Sequence, residues 1–318
     1  MRRIVGSLSV ITCIGMFLVV VMGTLVTQTD SGRGCGSDWP LCNGKFVPAY
    51  TIESFIEYSH RFVTGIEGIL VLAVFLIVWL KIPKRDARIY SFLALFFTLV
   101  QAVLGAFAVA WPQSSAVLAL HFGFSLLAFA STLLLAIVLV RSSDTMQRDW
   151  IQSADSPSHM IALPTAGFRY LVWLTTFYCY IVVYLGAFVR HTKSSGGCRG
   201  WPLCNGEFIP VLSGATGVVF IHRIGALLLF ILICFLTYQA IRLGPQRANQ
   251  SSQQIKSIRK ITLWVFYLVV LQVLSGAFVT FSISTDWYLL TTLLHTLIIA
   301  FLFGALCYLS ILVKWRIC

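Results

Sequence analysis

Eight long apolar runs limit what this chain can fold into. Each holds about 20 residues, enough for a helix to cross a hydrocarbon core about 30 Å thick. Only 11% of the 318 residues are charged, against about 25% in a soluble domain. We therefore predict an all-α polytopic membrane protein, because the strands of a membrane barrel would alternate over about 10 residues instead. The runs lie at about residues 8–28, 59–80, 89–110, 117–140, 169–190, 217–241, 261–281 and 288–313.

The first apolar run follows Arg2 and Arg3 and must be compared with a signal peptide. Its apolar stretch exceeds the usual core of about 7–15 residues, and no small-residue cleavage site follows it. We therefore expect it to remain as the first transmembrane helix.

The net charge of +12 is distributed in a way that predicts topology and gives no sign of nucleic-acid binding. With both termini in the cytoplasm, the inner segments hold sixteen of the 23 Lys and Arg residues and the outer segments seven. This excess fits the positive-inside rule. The inner residues are Arg2, Arg3, Lys81, Lys84, Arg85, Arg88, Arg141, Arg148, Arg169, Arg242, Arg247, Lys256, Arg259, Lys260, Lys314 and Arg316.

The two halves of the chain repeat each other. GCGSDWPLCNG (Gly34–Gly44) reappears as GCRGWPLCNG (Gly197–Gly206), and we name these segments the first and second cysteine loops. HRFVTG parallels HRIGAL, and QAVLGAF parallels QVLSGAF. We predict two four-helix bundles, residues 1–141 and 169–318, joined by a cytoplasmic linker at 142–168. Equal orientation makes them a parallel duplication, unlike the inverted repeats of many transporters.

Four histidines occupy repeat-related positions near the outer ends of predicted helices. They are His60, His121, His222 and His295. Ionisable groups in membrane helices are costly and usually functional, and two imidazoles facing each other in a bundle can hold a haem iron. Each histidine can also be an ordinary hydrogen-bonded residue, and zinc is less favoured because each half has only two histidines. His159 and His191 do not follow the repeat.

Polar residues around these histidines have competing interpretations. Arg61 and Arg223 each follow a histidine, where a guanidinium can pair with a haem propionate or act as an interfacial anchor. Glu57 precedes His60 by three residues, whereas Val219 takes that place before His222. A single carboxylate favours catalysis in the N-terminal half, but Ser54-x-x-Glu57 also fits a capping box. Glu67, on the same helix face, is either a protonated core residue or part of a proton path.

The predicted topology places two cysteine pairs outside the cell, where disulfides persist. The pairs are Cys35 with Cys42 and Cys198 with Cys204. A structural disulfide over each bundle is one interpretation. A redox-active disulfide that exchanges electrons with a partner is the other.

In combination, the eight runs, the EYSHR and HR motifs and the paired WPLC loops resemble the haem A synthases. These form the COX15/CtaA family, and the closer resemblance is to the bacterial type with a cysteine pair in each half. The resemblance covers essentially the whole chain. It implies oxidation of the C8 methyl group of haem O to a formyl group, which gives haem A for terminal oxidases, with water as oxygen source.

The resemblance also implies roles for individual residues. Haem O, the substrate, is expected between His60 and His121, and haem b between His222 and His295. Glu57 matches the essential acidic residue of the family, and the four cysteines match its loop disulfides, of which Cys35–Cys42 has been suggested to take part in the chemistry. The resemblance assigns no role to Glu67 or His191.

We further expect a multi-pass protein of the bacterial cell membrane with its cysteine loops on the extracellular face. A haem O-producing farnesyltransferase and an electron acceptor are the expected partners beside the lipid bilayer. Three other classes compete. A dihaem b-type electron-transfer cytochrome explains the histidines but not Glu57, a thiol-oxidising membrane protein explains only the loops, and a transporter would need broken helices.

Overall fold

The protein is all-helical over the part of the chain that the computed structural model describes, which comprises residues 2–37, 41–46, 50–111, 113–143, 165–243 and 251–313. Besides a 3₁₀ turn at Ser195–Gly197 and two isolated bridges, Cys42 with Lys45 and Cys204 with Glu207, no strand occurs there. The α-helices are α1 (Arg2–Gln28), α2 (Ile52–Lys81), α3 (Arg85–Ala110), α4 (Ser115–Ser143), α5 (Ala166–His191), α6 (Gly214–Arg242), α7 (Ser251–Ser282) and α8 (Tyr288–Leu312).

All eight helices are long and apolar enough to cross a membrane, so the prediction of an eight-helix membrane protein is confirmed. Several extend beyond their apolar runs. Helix α2 begins at Ile52, several residues before its run, and its 30 residues would span about 45 Å at 1.5 Å per residue. Its first turns therefore project beyond a hydrocarbon core of about 30 Å. The cytoplasmic placement of the termini stays a prediction.

The distribution of apolar side chains outside and hydroxyl side chains inside is that of a protein surrounded by lipid. Large apolar residues such as Phe62, Ile69 and Leu76 lie on the exposed side of α2. Small hydroxyl residues lie inside, and their hydroxyl groups donate to carbonyl oxygens one turn back, as Thr24 Oγ1 does to Val20 at 2.9 Å. A polar atom without a partner is costly where water is absent, and these local hydrogen bonds remove that cost.

Packing divides the chain into two compact units, Met1–Gln152 and Ser153–Cys318. Most of the linker predicted at 142–168, with His159, lies outside the described residues, although α4 continues to Ser143 and α5 begins at Ala166. The division of roles between an N-terminal and a C-terminal bundle stays a prediction.

Within the first unit the helices form a ring. Helix α1 packs against α2 and α4, and α3 packs against the same two helices. Helices α2 and α4 therefore occupy opposite corners, with α1 and α3 between them. The second unit has the same order, because α5 and α7 each pack against α6 and α8. In each unit the histidine-bearing helices form one diagonal of the ring.

Candidate functional site

The four histidines lie about two turns after the start of their helices. His60 is eight positions beyond the first residue of α2, and His222 is eight positions beyond the first residue of α6. His121 and His295 lie in the second turns of α4 and α8. His60 and His121 are close enough for an electrostatic interaction between their rings, and so are His222 and His295. Each unit thus brings its two predicted ligands together across its diagonal.

A glycine on a neighbouring helix faces each imidazole, a regularity that sequence reasoning missed. Helices α1 and α3 supply Gly23 and Gly105, whereas α5 and α7 supply Gly186 and Gly276. A methyl group added to Gly186 would lie 2.9 Å from Cε1 of His222, and at the other three glycines the same distance to the facing ring would be 3.3 Å. Any larger residue would push the ring aside. Gly-Ala-Phe triplets were a signal in the sequence for three of the four, Gly105, Gly186 and Gly276.

The chemistry of these imidazoles fits an axial role toward haem iron. The Nδ1 atoms of His60, His121 and His222 are buried without a hydrogen-bond partner of ordinary geometry in the described part of the chain. Imidazole nitrogens in a core normally find partners. Paired histidines, three of them with an unpartnered Nδ1 and all four with a glycine making room for the ring, suit a bound porphyrin better than a hydrogen-bonded core.

The fourth histidine differs from the other three. Nδ1 of His295 lies 2.8 Å from Oγ of Ser275 on α7. The side-chain amide of Gln272 lies 3.0 Å from Nε2 of the same ring. Gln101, which occupies the corresponding position on α3, instead directs its amide to Sδ of Met16 at 3.6 Å. The two units therefore hold their second histidines in different ways.

Each cysteine loop is closed by a disulfide and lies on the start of the following helix. Cys35 is joined to Cys42 and Cys198 to Cys204, with Cα–Cα distances of 4.3 and 4.7 Å. Gly34 approaches the backbone of Glu53 so closely that a methyl group would lie 2.4 Å from its carbonyl carbon. A glycine is therefore required where the loop meets the helix.

The second loop meets α6 in the same way. A methyl group on Gly197 would lie 2.4 Å from the carbonyl carbon of Ala215. The hydroxyl of Thr216 donates to the carbonyl oxygen of Gly197 at 2.8 Å, and the hydroxyl of Ser54 donates to that of Gly34 at 2.5 Å. These two hydroxyl residues are equivalent anchors that sequence reasoning also missed.

Glu57 connects the first loop to α2 through both of its carboxylate oxygens. Oε2 accepts from the backbone N–H of Cys35 at 2.8 Å, and Oε1 forms an ion pair with Nη2 of Arg61 at 2.5 Å. The side chain is nearly excluded from solvent, with 3% exposed. The structure therefore places the carboxylate of Glu57 next to the disulfide, three positions before His60 on α2.

The capping-box interpretation of Glu57 is wrong. The N-cap of α2 is Thr51, whose hydroxyl accepts from the backbone N–H of Ser54 at 3.3 Å. Helix α2 thus begins one turn earlier than the box requires, and Glu57 lies beyond the first turn. Its carboxylate is committed to tertiary contacts instead of backbone donors at the helix start.

The second unit has an apolar contact at the place of Glu57. Val219 packs in a cluster with Cys198 and Cys204. A carboxylate connects loop and helix in one unit, and a methyl-bearing side chain fills the same place in the other.

Both arginines fasten the loops. Nη1 of Arg61 donates to the carbonyl oxygen of Leu41 at 2.7 Å, and Nη1 of Arg223 to that of Leu203 at 3.1 Å. Nη2 of Arg223 donates to Thr280 at 3.2 Å, where Nη2 of Arg61 has Glu57. These contacts give each guanidinium a structural task, and a propionate contact stays a prediction for both.

The repeat leaves His191 and Glu67 without an assigned role. His191 is the last residue of α5. Glu67 is buried beside α1, and its Oε2 lies only 2.0 Å from the position that a Cβ on Gly15 would take. We assign neither residue a role in the candidate site.

Comparison with known proteins identifies the family of the chain. The sequence profile of the family described as cytochrome oxidase assembly protein, COX15-CtaA, matches residues 6–307. A protein named heme A synthase from Symbiobacterium thermophilum is 40% identical over 300 residues, covering 93% of this chain and 91% of its own. One of the same name from Alkalihalophilus pseudofirmus is 37% identical and covers 96% of both chains. Another from Bacillus licheniformis is 40% identical, covering 98% of this chain and 97% of its own. The chain belongs to the COX15-CtaA family.

Proposed function

We propose that the protein converts haem O to haem A in a bacterial cell membrane. Haem O binds between His60 and His121 in the first unit, and haem b is held by His222 and His295 in the second. Family membership and relatives named heme A synthase support the activity. The observation that carries the division of labour is the carboxylate of Glu57, whose equivalent in the second unit is Val219.

The reaction oxidises the C8 methyl group of haem O to a formyl group in two stages. Methyl group and water first give a hydroxymethyl group, two electrons and two protons. The same change repeated gives a hydrated aldehyde, which loses water to leave the formyl group. Four electrons pass in total to the external electron acceptor expected as a partner, four protons leave, and the net oxygen atom comes from water. Haem b, when bound, supplies a one-electron carrier.

The part of Glu57 is to accept protons from the reacting methyl group or from the attacking water. Each carboxylate oxygen keeps a further lone pair beyond its contact with Cys35 N–H or Arg61, because a carboxylate accepts about four hydrogen bonds. The ion pair with Arg61 and the bond from the loop fix the direction in which those lone pairs point. A fixed acceptor beside the reacting group is what general base catalysis requires.

The disulfides act as covalent braces of the loops in this proposal. Cys35 is 0% and Cys42 1% exposed, and exchange with a partner thiol requires access to a sulfur atom. The first loop, fastened by Ser54, Glu57 and Arg61, then covers the start of α2. With the loops on the extracellular face, the substrate comes from a haem O-producing farnesyltransferase within the membrane.

Haem analysis by mass tests the proposal. Cells that make haem O but no haem A are given this chain, and haems are extracted from whole membranes and from the purified protein. We expect haem A in the membranes and haem b with traces of haem O or haem A in the protein. Haem b alone in both samples would favour a dihaem electron-transfer cytochrome, and a colourless protein would favour thiol oxidation.

A further inference from the structure

His295 stands apart from the other three histidines because a hydroxyl group holds its ring. Nδ1 of His295 is 2.8 Å from Oγ of Ser275, and that hydroxyl in turn donates to the carbonyl oxygen of Gln272 at 2.9 Å. Ser275 is buried, with 8% exposed, so water does not compete for these contacts. Of the four imidazoles, only this one has a partner of ordinary geometry at Nδ1 within the described residues.

The direction of these bonds determines which ring nitrogen carries hydrogen. With the Oγ hydrogen directed to the Gln272 carbonyl at 2.9 Å, Oγ accepts from Nδ1–H of His295, and Nε2 carries the lone pair. The side-chain amide nitrogen of Gln272 lies 3.0 Å from Nε2 and 3.2 Å from Nδ1, so Ser275, and not Gln272, determines the tautomer. A second partner that fixes tautomer and ring orientation is how proteins prepare a histidine ligand for a metal.

The first unit lacks this hydroxyl. Alignment of QAVLG with QVLSG puts Leu104 where the second unit has Ser275. Nδ1 of His121 has no partner of ordinary geometry, although the backbone of Gln101 interacts with the ring. His121 therefore lacks the side-chain hydroxyl that contacts Nδ1 of His295.

We propose that Ser275 is a positioning residue that makes the second unit a retaining haem site, whereas Leu104 leaves the first unit an exchanging one. This inference rests on the proposed function, in which haem O must enter and haem A must leave while haem b stays. A ligand whose orientation is fixed in advance releases its metal more slowly, and loss of such a partner typically costs about 10- to 100-fold in metal affinity.

The test compares Ser275→Ala with wild type in the purified full-length protein. Haem loss is followed as transfer to excess apomyoglobin, and the midpoint potential of haem b is measured by redox titration. In Ser275→Ala we expect haem transfer about 10- to 100-fold faster and a higher midpoint potential. The hydrogen bond from Nδ1–H increases electron donation to ferric iron in the wild type, and its loss therefore favours ferrous iron. Ser275→Thr keeps a hydroxyl and should restore both values.

Ser282→Ala is the matched control. Its hydroxyl is also buried on α7, donates to a carbonyl oxygen three residues back and meets α8, but at Thr291 and not at a histidine. It should leave both the transfer rate and the potential at wild-type values. A change equal to that of Ser275→Ala would show a general effect of packing between α7 and α8 and would overturn the inference.

Leu104→Ser tests the idea in the other unit, independently of how Ser275 variants fold. With haem O loaded into the first unit, this substitution should slow haem O transfer to apomyoglobin. If both Leu104→Ser and Ser275→Ala transfer haem at the wild-type rate and the wild type holds low-spin haem, the inference is refuted and the proposed function is not. A wild-type protein without low-spin haem would instead refute the proposed function.

Discussion

At the scale of single residues, the two units differ most at Glu57. Its carboxylate joins the backbone of Cys35 to the guanidinium of Arg61, whereas Val219 only fills space beside the second disulfide. Everything else around the two disulfides is nearly matched, including the glycine contact and the hydroxyl anchor. A buried carboxylate–guanidinium pair has a desolvation cost, so a role in the reaction is the reason we offer for Glu57.

Replacing Glu57 by Gln is expected to separate chemistry from binding. The amide keeps the shape and an oxygen that can accept from Cys35 N–H, but it is too weak a base to take a proton. Haem A formation should fall by about 10²- to 10⁴-fold, measured by mass in haem extracts, while bound haem per protein stays at the wild-type value. Normal haem A formation in this variant would contradict the assigned role.

At the scale of helices and loops, contact between neighbouring helices sets the room for each imidazole. The methyl group of an alanine would lie 2.9 Å from His222 at position 186 and 3.3 Å from His121 at position 105, but at position 68 it would meet nothing within 4 Å. All three glycines lie in membrane-spanning helices, but they differ in how close an added methyl group would come to a histidine ring.

Alanine substitutions at these glycines should have graded effects. Overpacking costs about 1–3 kcal/mol, which corresponds to roughly 5- to 150-fold in haem affinity. We expect Gly186→Ala to weaken haem binding more than Gly105→Ala, as measured by pyridine haemochrome content after controlled dilution. Gly68→Ala serves as the control and should bind normally. Equal binding in all three would mean that the glycines do not position the histidines.

The sequence predicts the helices well because apolar length alone identifies a membrane span. It also indicates the four histidines as candidate ligands, because the duplication aligns His60 with His222 and His121 with His295. It misses the true start of α2 at Ile52, since the polar turn after Thr51 does not look like part of a span. The glycine contacts depend on how neighbouring helices are rotated, and the Glu57–Cys35 bond joins residues 22 positions apart. Neither follows from periodicity in one sequence.

At the scale of the whole molecule, each unit contains its own pair of histidines on the diagonal of its own ring. The helix order is complete within each unit, and in the described residues the helices that carry each pair pack within their own unit. We therefore expect the two haem sites to fill and empty separately.

Removing one pair of histidines tests this separation. Substituting His222 and His295 together by Ala should abolish the resident b-type absorption in the reduced-minus-oxidised spectrum, because no axial ligand remains in the second unit. Substituting His60 and His121 together should keep that absorption and abolish haem A formation. Similar spectra for the two double variants would show that the sites are not divided between the units as proposed.

The ring order of the helices has a consequence for the life of the protein in the cell. Helices at opposite corners, such as α2 and α4, share no extensive packing of their own. A porphyrin coordinated by histidines on both of these helices would connect them. The rigidity of each four-helix ring would then depend on whether its porphyrin is bound. Cells that lack iron porphyrin should therefore degrade the newly made polypeptide faster than cells that contain enough of it. The abundance of the polypeptide should follow the availability of iron porphyrin.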